Sequence, residues 1–418
     1  GVPTERPVRV VLITLDTLRY DAFAKGGMPL LWARAQRATR FERAYAASTT
    51  TQPTHASLLT GLHPWQHGVT RNGQVLDDRF ETVPERLRDA GFATHAVVAS
   101  YPVAAAFGFA QGFATFREDF TTGLGAASAW EGHRLPRGTF FSDARTVTDR
   151  ALEALDAADA QGAARQFFWF HYFDPHAPYG GSRGGELMES HVHARIRAGE
   201  PRADVMREVR RLYAGDVAFL DAELGRLLER LDRDAAGRDT HVVVTADHGE
   251  SLGEHGSLGH GYGLGEVEVR VPALVWSQRL ERGVRRQPVG SVDLAATLLA
   301  LAGVPPASEP GAGRDLTAPQ LAPAQVAGMR RTFRSRGVGE RLLDGNVRPI
   351  PDLLFYVVGT DGRRRQGNGK RLLGLAAAED EEALTRFRGF EQALARNGTR
   401  GSPEPEVEAR LRALGYVP

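Results

Sequence analysis

Two stretches of this sequence run almost without a polar break and then stop at an acid. Residues 8–15 read V-R-V-V-L-I-T-L and are followed by Asp16. Residues 241–245 read H-V-V-V-T and are followed by Ala246, Asp247 and His248. Short runs of β-branched and aliphatic residues are the pattern of strands covered on both faces, the condition of a parallel sheet. Residues 94–99, 166–172 and 271–276 supply three more such runs, the second ending in F-D-P-H-A-P-Y. Between them lie helical patterns at 29–36, 83–90 (closed by Gly91), 143–158, 205–231 and 293–302 (stopped by Gly303). Strands alternating with helices imply a doubly wound, mostly parallel α/β sheet flanked by helices. An acid just past a strand end then sits on the edge where open α/β sheets bind ligands. Standing alone, Asp16 reads equally well as a helix N-cap.

The remaining sequence reads as loops and a smaller lobe. Residues 107–116 form a loop with aromatic anchors, and residues 180–189 a mobile surface loop. The Pro/Ala/Gly-rich stretch 305–324 reads as a linker. A strand at 353–358 runs into G-T-D-G, a hairpin signal, and helices at 379–396 and 405–414 follow. The expected division is a catalytic domain over 1–325 and a small C-terminal α+β subdomain over 326–418.

Composition narrows the function more by exclusion than by assertion. The chain has 418 residues, 42% hydrophobic and 25% charged, ordinary for a globular enzyme. A net charge of +1 gives no nucleic-acid signature. With no cysteine, disulfides, thiolate metal sites and cysteine nucleophiles are excluded. No apolar run reaches the length of a spanning helix. The N-terminus does not read as a signal peptide, and Gly1 in place of Met fits a processed chain, so periplasmic, secreted and cytoplasmic locations all stay open.

The chemistry centres on residues 49–61, T-T-T-Q-P-T-H-A-S-L-L-T-G. Pro53 biases Gln52 toward extended backbone, which ends a hydroxyl-rich loop at the start of a helix. A helix N-terminus offers unpaired N–H groups to an oxyanion, and a hydroxyl there becomes a nucleophile only if its pKa falls. A threonine N-cap is the plainer reading of the stretch by itself. Asp16, Asp247 and His248, brought to one sheet edge, would supply two carboxylates and an imidazole for one divalent metal, which is what such a hydroxyl needs.

Taken together, these motifs resemble the sulfatase branch of the alkaline phosphatase superfamily, over nearly the whole chain up to about Gly313. They are D-T-L-R at Asp16, T-Q-P-T-H-A-S-L-L-T-G at Thr51, H-Y-F-D-P-H-A-P-Y at His171, A-D-H-G-E-S-L-G-E-H-G around Asp247, V-D-L-A-A-T-L-L at Val292 and the closing A-L-G-Y at Ala413. The resemblance implies that Asp16, Asp247 and His248 bind metal with Thr51. It makes Thr51 the nucleophile, two residues before the motif's Pro53. His176 resembles the family's substrate-binding histidine, His260 a substrate-side or second-metal histidine, and Asn72 an asparagine that contacts a phosphoryl oxygen. Read as a turn, Asn72-Gly73 is an equal alternative. His171 and His67 read as structural.

The departures from the family pattern matter as much. Sulfatases carry a cysteine or serine that is converted to formylglycine; Thr51 cannot yield that aldehyde, so no formylglycine is expected. The second acid after the first strand is Thr17, the motif arginine is His55, and the two active-site lysines have no counterpart, since Lys25 and Lys370 lie outside the motifs. Threonine nucleophiles are similar to those of the superfamily's phosphate-transferring members. The expectation is a metal-dependent hydrolase (Mn, Zn, Mg or Ca; one site, a second possible) that cleaves phosphate mono- or diesters through a phospho-threonine. His176 and His260 would be catalytic, with Asn72 and His55 on the substrate. Its substrate would be a small-molecule, lipid or glycan ester. Sulfate-ester hydrolysis, a phosphoethanolamine- or phosphoglycerol-type transferase and a non-catalytic binding member remain as alternatives.

Overall fold

The computed structural model describes residues 6–123, 129–130, 133–135, 139–181, 187–306, 313–318, 321, 326–331, 339–344, 347–349, 353–359, 363–367, 372–373 and 381–397. The middle of the expected 180–189 loop, much of the 305–324 linker, the helix expected at 405–414 and the terminal A-L-G-Y lie outside these residues.

Eight strands build the central sheet: β1 (Val8–Leu15), β2 (Thr39–Phe41), β3 (Ala93–Val98), β4 (Thr115–Arg117), β5 (Arg165–Tyr172), β6 (Asp239–Ala246), β7 (Ala273–Trp276) and β8 (Gly283–Arg285). Their spatial order is β8-β2-β7-β6-β1-β5-β3-β4. β1 runs parallel to both β5 and β6, with Leu15 level with Tyr172 and Ala246. This register brings the residues that follow, Asp16, Phe173 and Asp247, to the same height at the sheet's C-terminal edge.

Helices cover both faces, which is why β1 is buried throughout from Val10. The main ones are α1 (Thr51–Thr60), α2 (Val83–Asp89), α3 (Ala144–Ala160), α4 (Arg202–Asp234) and α5 (Ser291–Leu301). Side chains alternate along a strand, so Arg9 and Thr14, an odd number of positions apart, point to opposite faces. Arg9 meets Asp159 on α3 and Asp234 on α4, whereas Thr14 meets His55 on α1, against which α5 packs. Among the described residues no helix is long and apolar enough to cross a membrane.

One expected strand divides. Residues 271–276 read as a single buried run, but Pro272 has no N–H to continue a ladder. Arg270–Val271 pairs with Ala44–Tyr45 in a separate ribbon, while β7 enters the main sheet antiparallel to β6. The Pro272 carbonyl accepts the Thr245 hydroxyl at 3.0 Å, which turns the chain between the two sheets. Burial does not distinguish parallel from antiparallel in so short a run.

The small lobe is an antiparallel sheet, β9 (Val326–Arg331), β10 (Leu353–Val358), β11 (Arg364–Gly367) and β12 (Leu372–Leu373), with α6 (Glu381–Arg396) against it. β10 and β11 form the hairpin that G-T-D-G signals. The lobe grips the segment leading into α1. Met329 N–H donates to the Ala47 carbonyl at 2.9 Å and the Tyr356 hydroxyl donates to the Ala46 carbonyl. Any side chain at Gly328 would stand 2.7 Å from the Ala47 carbonyl, so the close approach requires glycine. Trp65, just beyond α1, stacks on Phe390 of α6 at 4.0 Å.

Candidate active site

The hydroxyl loop ends earlier than the Pro53 argument places it: Thr50 is extended (φ −141°, ψ 151°), but α1 already begins at Thr51. Gln52 is therefore helical rather than extended, and Pro53 sits within the first turn, where its missing N–H costs no helical bond. Thr51 is buried, with 2% of its surface exposed. The Gln52 N–H, an otherwise orphaned donor of the first turn, reaches Asn72 Oδ1 at 3.0 Å. Gln52 in turn donates from its side chain to the Pro102 carbonyl and accepts the Gln74 N–H. Asn72 thus lies both in a turn and against the start of α1, its amide oxygen spoken for by the backbone.

At the edge of β1 and β6, the Asp16 and Asp247 carboxylates and the His248 imidazole converge, all fully buried, with one ligand atom from each within 4.8 Å of the others. Neither Asp16 oxygen has a hydrogen-bond partner, nor does Asp247 Oδ2 or His248 Nε2. Asp247 Oδ1 is held by the N–H groups of Thr17 (3.2 Å) and His248 (2.8 Å). His248 donates from Nδ1 to the Gly249 carbonyl at 3.0 Å, which leaves Nε2 as a bare lone pair 3.5 Å from Asp247 and 3.9 Å from Asp16. A backbone carbonyl fixing one ring nitrogen so that the other can ligate is the usual support of a metal-bound histidine.

Burial holds all three groups away from their charged forms. It pushes the Asp16 carboxyl well above the usual range, with Asp247 and Glu250 adding to the effect. Asp247 rises to about 6, again through burial, and His248 falls to about 4. Buried carboxylates without counter-charge are costly. Two carboxylates and an imidazole lone pair, orphaned within one small volume, fit a divalent cation.

Two imidazoles stand over this cluster. His176, stacked on Phe173, donates from Nδ1 to the Ala177 carbonyl at 2.6 Å. His260 donates from Nδ1 to the Thr49 carbonyl at 3.2 Å, and its ring lies 4.3 Å from that of His248. The two Nε2 atoms face each other at 3.1 Å. Since carbonyls can only accept, both Nδ1 atoms carry hydrogen, and the Nε2 pair can bond only through one added proton or cation. Burial lowers His176 to about 4 and His260 well below the usual histidine value.

His55 is placed differently from its sequence expectation. It is fully buried behind Thr51, donating from Nδ1 to the Thr51 carbonyl at 2.9 Å and accepting the Thr14 hydroxyl at Nε2, 3.1 Å away. With both ring nitrogens committed, it has none to offer a substrate. Its Nδ1 also lies 3.7 Å from Asp247 Oδ2, so it ties the first turn of α1 to the carboxylate cluster. His171 accepts the Ala99 N–H and turns Nε2 toward Asp16 Oδ2 at 3.8 Å, a supporting position. His67 bonds Ser57 and the Val69 N–H, within the packing below α1. His255 is exposed.

Sequence reasoning passed over Glu250, which is fully buried with neither carboxylate oxygen hydrogen-bonded. Burial, then Glu189 and Glu268, push its carboxyl well above the usual range. Only its place two residues after His248 could have drawn attention to it.

The geometry meets its relatives here. The chain is 25% identical over 351 residues to choline-sulfatase of Rhizobium meliloti (strain 1021), covering 71% of this chain and 67% of that protein. It is also 25% identical to the multifunctional alkaline phosphatase superfamily protein PehA of Trinickia caryophylli, over 69% of this chain and 73% of the relative. The phosphonate monoester hydrolase SpPMH of Silicibacter pomeroyi has the same fold, with a TM-score of 0.63 over 95% of this chain and 96% of that one, at 19% identity. The sulfatase family model matches residues 9–304, a span that holds every residue of the cluster, and the chain belongs to the sulfatase family.

Proposed function

We propose that this protein is a metal-dependent ester hydrolase that uses Thr51 as its nucleophile and acts on phosphate esters. The observation that supports the reading is Thr51 at the start of α1, its backbone carbonyl tied through His55 to a set of buried, unpartnered ligand atoms. Asp16, Asp247 and His248 would hold the metal together with Thr51; when bound, it would neutralise the two carboxylates and favour the ionised hydroxyl.

The chain's own groups account for the rest. The Thr51 proton leaves to solvent and Oγ1 attacks phosphorus, forming the Thr–O–P bond as the bond to the leaving oxygen breaks. His176 and His260 hold one proton between their Nε2 atoms, and the leaving alkoxide takes it. An anionic substrate raises their affinity for that proton, against the lowering by burial. The Asn72 amide, its oxygen fixed by Gln52 N–H, directs its NH₂ group toward a phosphoryl oxygen. Water then cleaves the Thr–O–P bond, its OH going to phosphorus and its proton to Thr51 Oγ1, while the Nε2 pair takes a proton back from solvent. The lobe from residue 326 onward serves as a separate C-terminal subdomain that steadies the segment before Thr51.

Sulfate-ester hydrolysis by Thr51 directly is the second reading, favoured by the relation to choline-sulfatase. Against it stands the residue itself: oxidation of a secondary alcohol gives a ketone, so the aldehyde hydrate of a formylglycine is out of reach.

Matched aryl phosphate monoester, diester, phosphonate monoester and sulfate, offered to metal-stripped protein reloaded with Mn, Zn, Mg or Ca, test both readings. Metal-dependent phosphoester turnover is expected, with Thr51→Ala lowering kcat by roughly 10³-fold or more. Mass spectrometry of acid-quenched reactions should find the phosphoryl group on Thr51. Preferential sulfate turnover would establish the second reading, and unchanged turnover in Thr51→Ala would remove the nucleophile from both.

A further inference from the structure

His260 sits in a loop that cannot hold it in place unaided. Residues 253–265 carry glycine at 253, 256, 259, 261, 263 and 265, and a chain so rich in glycine has little stiffness of its own. Whatever keeps the His260 ring opposite His176 must come from the loop's neighbours. One set of contacts faces the nucleophile: His260 Nδ1 donates to the Thr49 carbonyl, and the Thr49 hydroxyl donates to the Gly263 carbonyl at 3.1 Å.

The other set comes from the C-terminal lobe and falls on either side of His260 in the chain. Before it, the Gly256 carbonyl accepts the Leu343 N–H at 2.9 Å. After it, the Leu264 carbonyl accepts Nη1 of Arg364, on β11, whose Nε lies 3.5 Å from Glu266 Oε2. Bonds from a guanidinium are stronger than those from neutral donors. The Leu264 side chain, 1% exposed, packs with Val326, Leu354, Tyr356 and Val358 of the lobe. Tyr356 also holds the Ala46 carbonyl, so one lobe grips both the segment entering α1 and the loop carrying His260. Arg364 is 24% exposed, and its loss empties no core position.

We infer that Arg364 is a positioning residue for the leaving-group proton: by fixing the Leu264 carbonyl it keeps His260 Nε2 opposed to His176 Nε2, where the pair can share one proton. Its premise is the reading of these two histidines as the groups that protonate the leaving alkoxide. No bond forms or breaks at Arg364 beyond its hydrogen bond. The proton passes from the Nε2 pair to the leaving oxygen.

Leaving-group dependence separates such positioning from stability, because a basic alkoxide needs a proton to depart and a stable anion does not. The probes are aryl phosphate monoesters and diesters, from dinitrophenyl to unsubstituted phenyl, offered to metal-loaded protein. The reading is kcat/KM, which covers departure of the leaving group. Arg364→Met keeps the side-chain stem and removes the donors. It should lower kcat/KM about tenfold on the phenyl esters and less than about twofold on the dinitrophenyl esters, a steepening in the direction of His260→Gln. Arg364→Lys keeps a cationic donor and should restore the shallower dependence. Hydrogen exchange read by mass spectrometry should quicken across 253–265 in Arg364→Met and stay unchanged in β1. A uniform loss across the series in Arg364→Met, beside a steepened dependence in His260→Gln, would overturn the positioning role and leave the histidine pair standing. No steepening in His260→Gln, or a wild type inert to the whole series, would overturn the pair as proton donor and the inference with it. Unchanged exchange across 253–265 would overturn the role of Arg364 whatever the turnover.

Discussion

The two ends of the central sheet treat buried charge in opposite ways. At the N-terminal end of β1, Arg9 is completely buried and fully answered: it bonds Gln166 at 2.8 Å and pairs with Asp159 and Asp234. Arg230 bonds the same two aspartates at 2.8 and 2.9 Å, so every charge has opposite neighbours. Seven residues on, just past the end of the same strand, Asp16 is equally buried and has no hydrogen-bond partner at either oxygen. Identical burial therefore carries different meanings. A closed network contributes to holding helices on a sheet, whereas open carboxylates mark a place kept for a ligand that brings positive charge.

The comparison breaks most visibly at Arg9. Arg9→Met removes one of the two guanidinium groups that Asp159 and Asp234 share, leaving Arg230, and urea unfolding should show a loss of about 1.5–3 kcal/mol, with the activity of the folded fraction unchanged. At the other end the sign reverses. Asp16→Asn removes a carboxyl that burial forces toward its protonated form in metal-free protein, so chelated Asp16→Asn should unfold at higher urea than chelated wild type, by about 1–2 kcal/mol, and should lose the stabilisation that metal gives. Lower stability of the chelated variant would mean that Asp16 belongs to the framework after all.

Acidity sharpens the contrast further. Asp247 has a folded-state pKa of about 6 against 3.8 for the free group, raised chiefly by burial. A raised carboxyl pKa means that the folded state holds the proton more tightly than the unfolded chain. That stabilisation is complete below about pH 3.8 and is lost as pH rises through about 6, and Asp16 shifts in the same direction. Chelated protein should therefore lose stability across this window, and saturating metal should remove the loss. A flat profile without metal would show that other groups already neutralise the cluster. The smallest effect belongs to Asn72→Ala, which frees the Gln52 N–H at the start of α1 and should cost about 1 kcal/mol of stability or less, with a reduction in kcat/KM of about tenfold.

Much of the scaffold was legible because its signals are local. Val8–Leu15 is a strand for the same reason that it is buried: its residues are apolar on both faces and too few for a long helix. Gly61 marks the end of α1, closing it at φ 73°, and Pro53 signals its first turn, though the helix starts two residues earlier, at Thr51. Asp143 caps α3 by accepting the Thr146 N–H at 2.8 Å, and Thr82 with Glu85 forms the capping box of α2. The antiparallel entry of β7 was not legible, because a four-residue apolar run carries no information on direction. Nor was the burial of His55, since a histidine near the start of a helix does not say which way its side chain faces.

Sequence alone settled the identities at stake: a threonine at position 51, two acids following two buried strands, and no cysteine anywhere. Side-chain chemistry is a property of the residue and survives any arrangement of the chain. Tertiary structure decided which of these groups meet and in what state. The lone pairs of His176 and His260, 84 residues apart in the chain, face each other only because the Ala177 and Thr49 carbonyls take both Nδ1 hydrogens. The Asp16 and Asp247 carboxylates are drawn together by the parallel register of β1 and β6. Their proton affinities follow from the water that this packing excludes, a long-range property of the folded chain that no local pattern encodes.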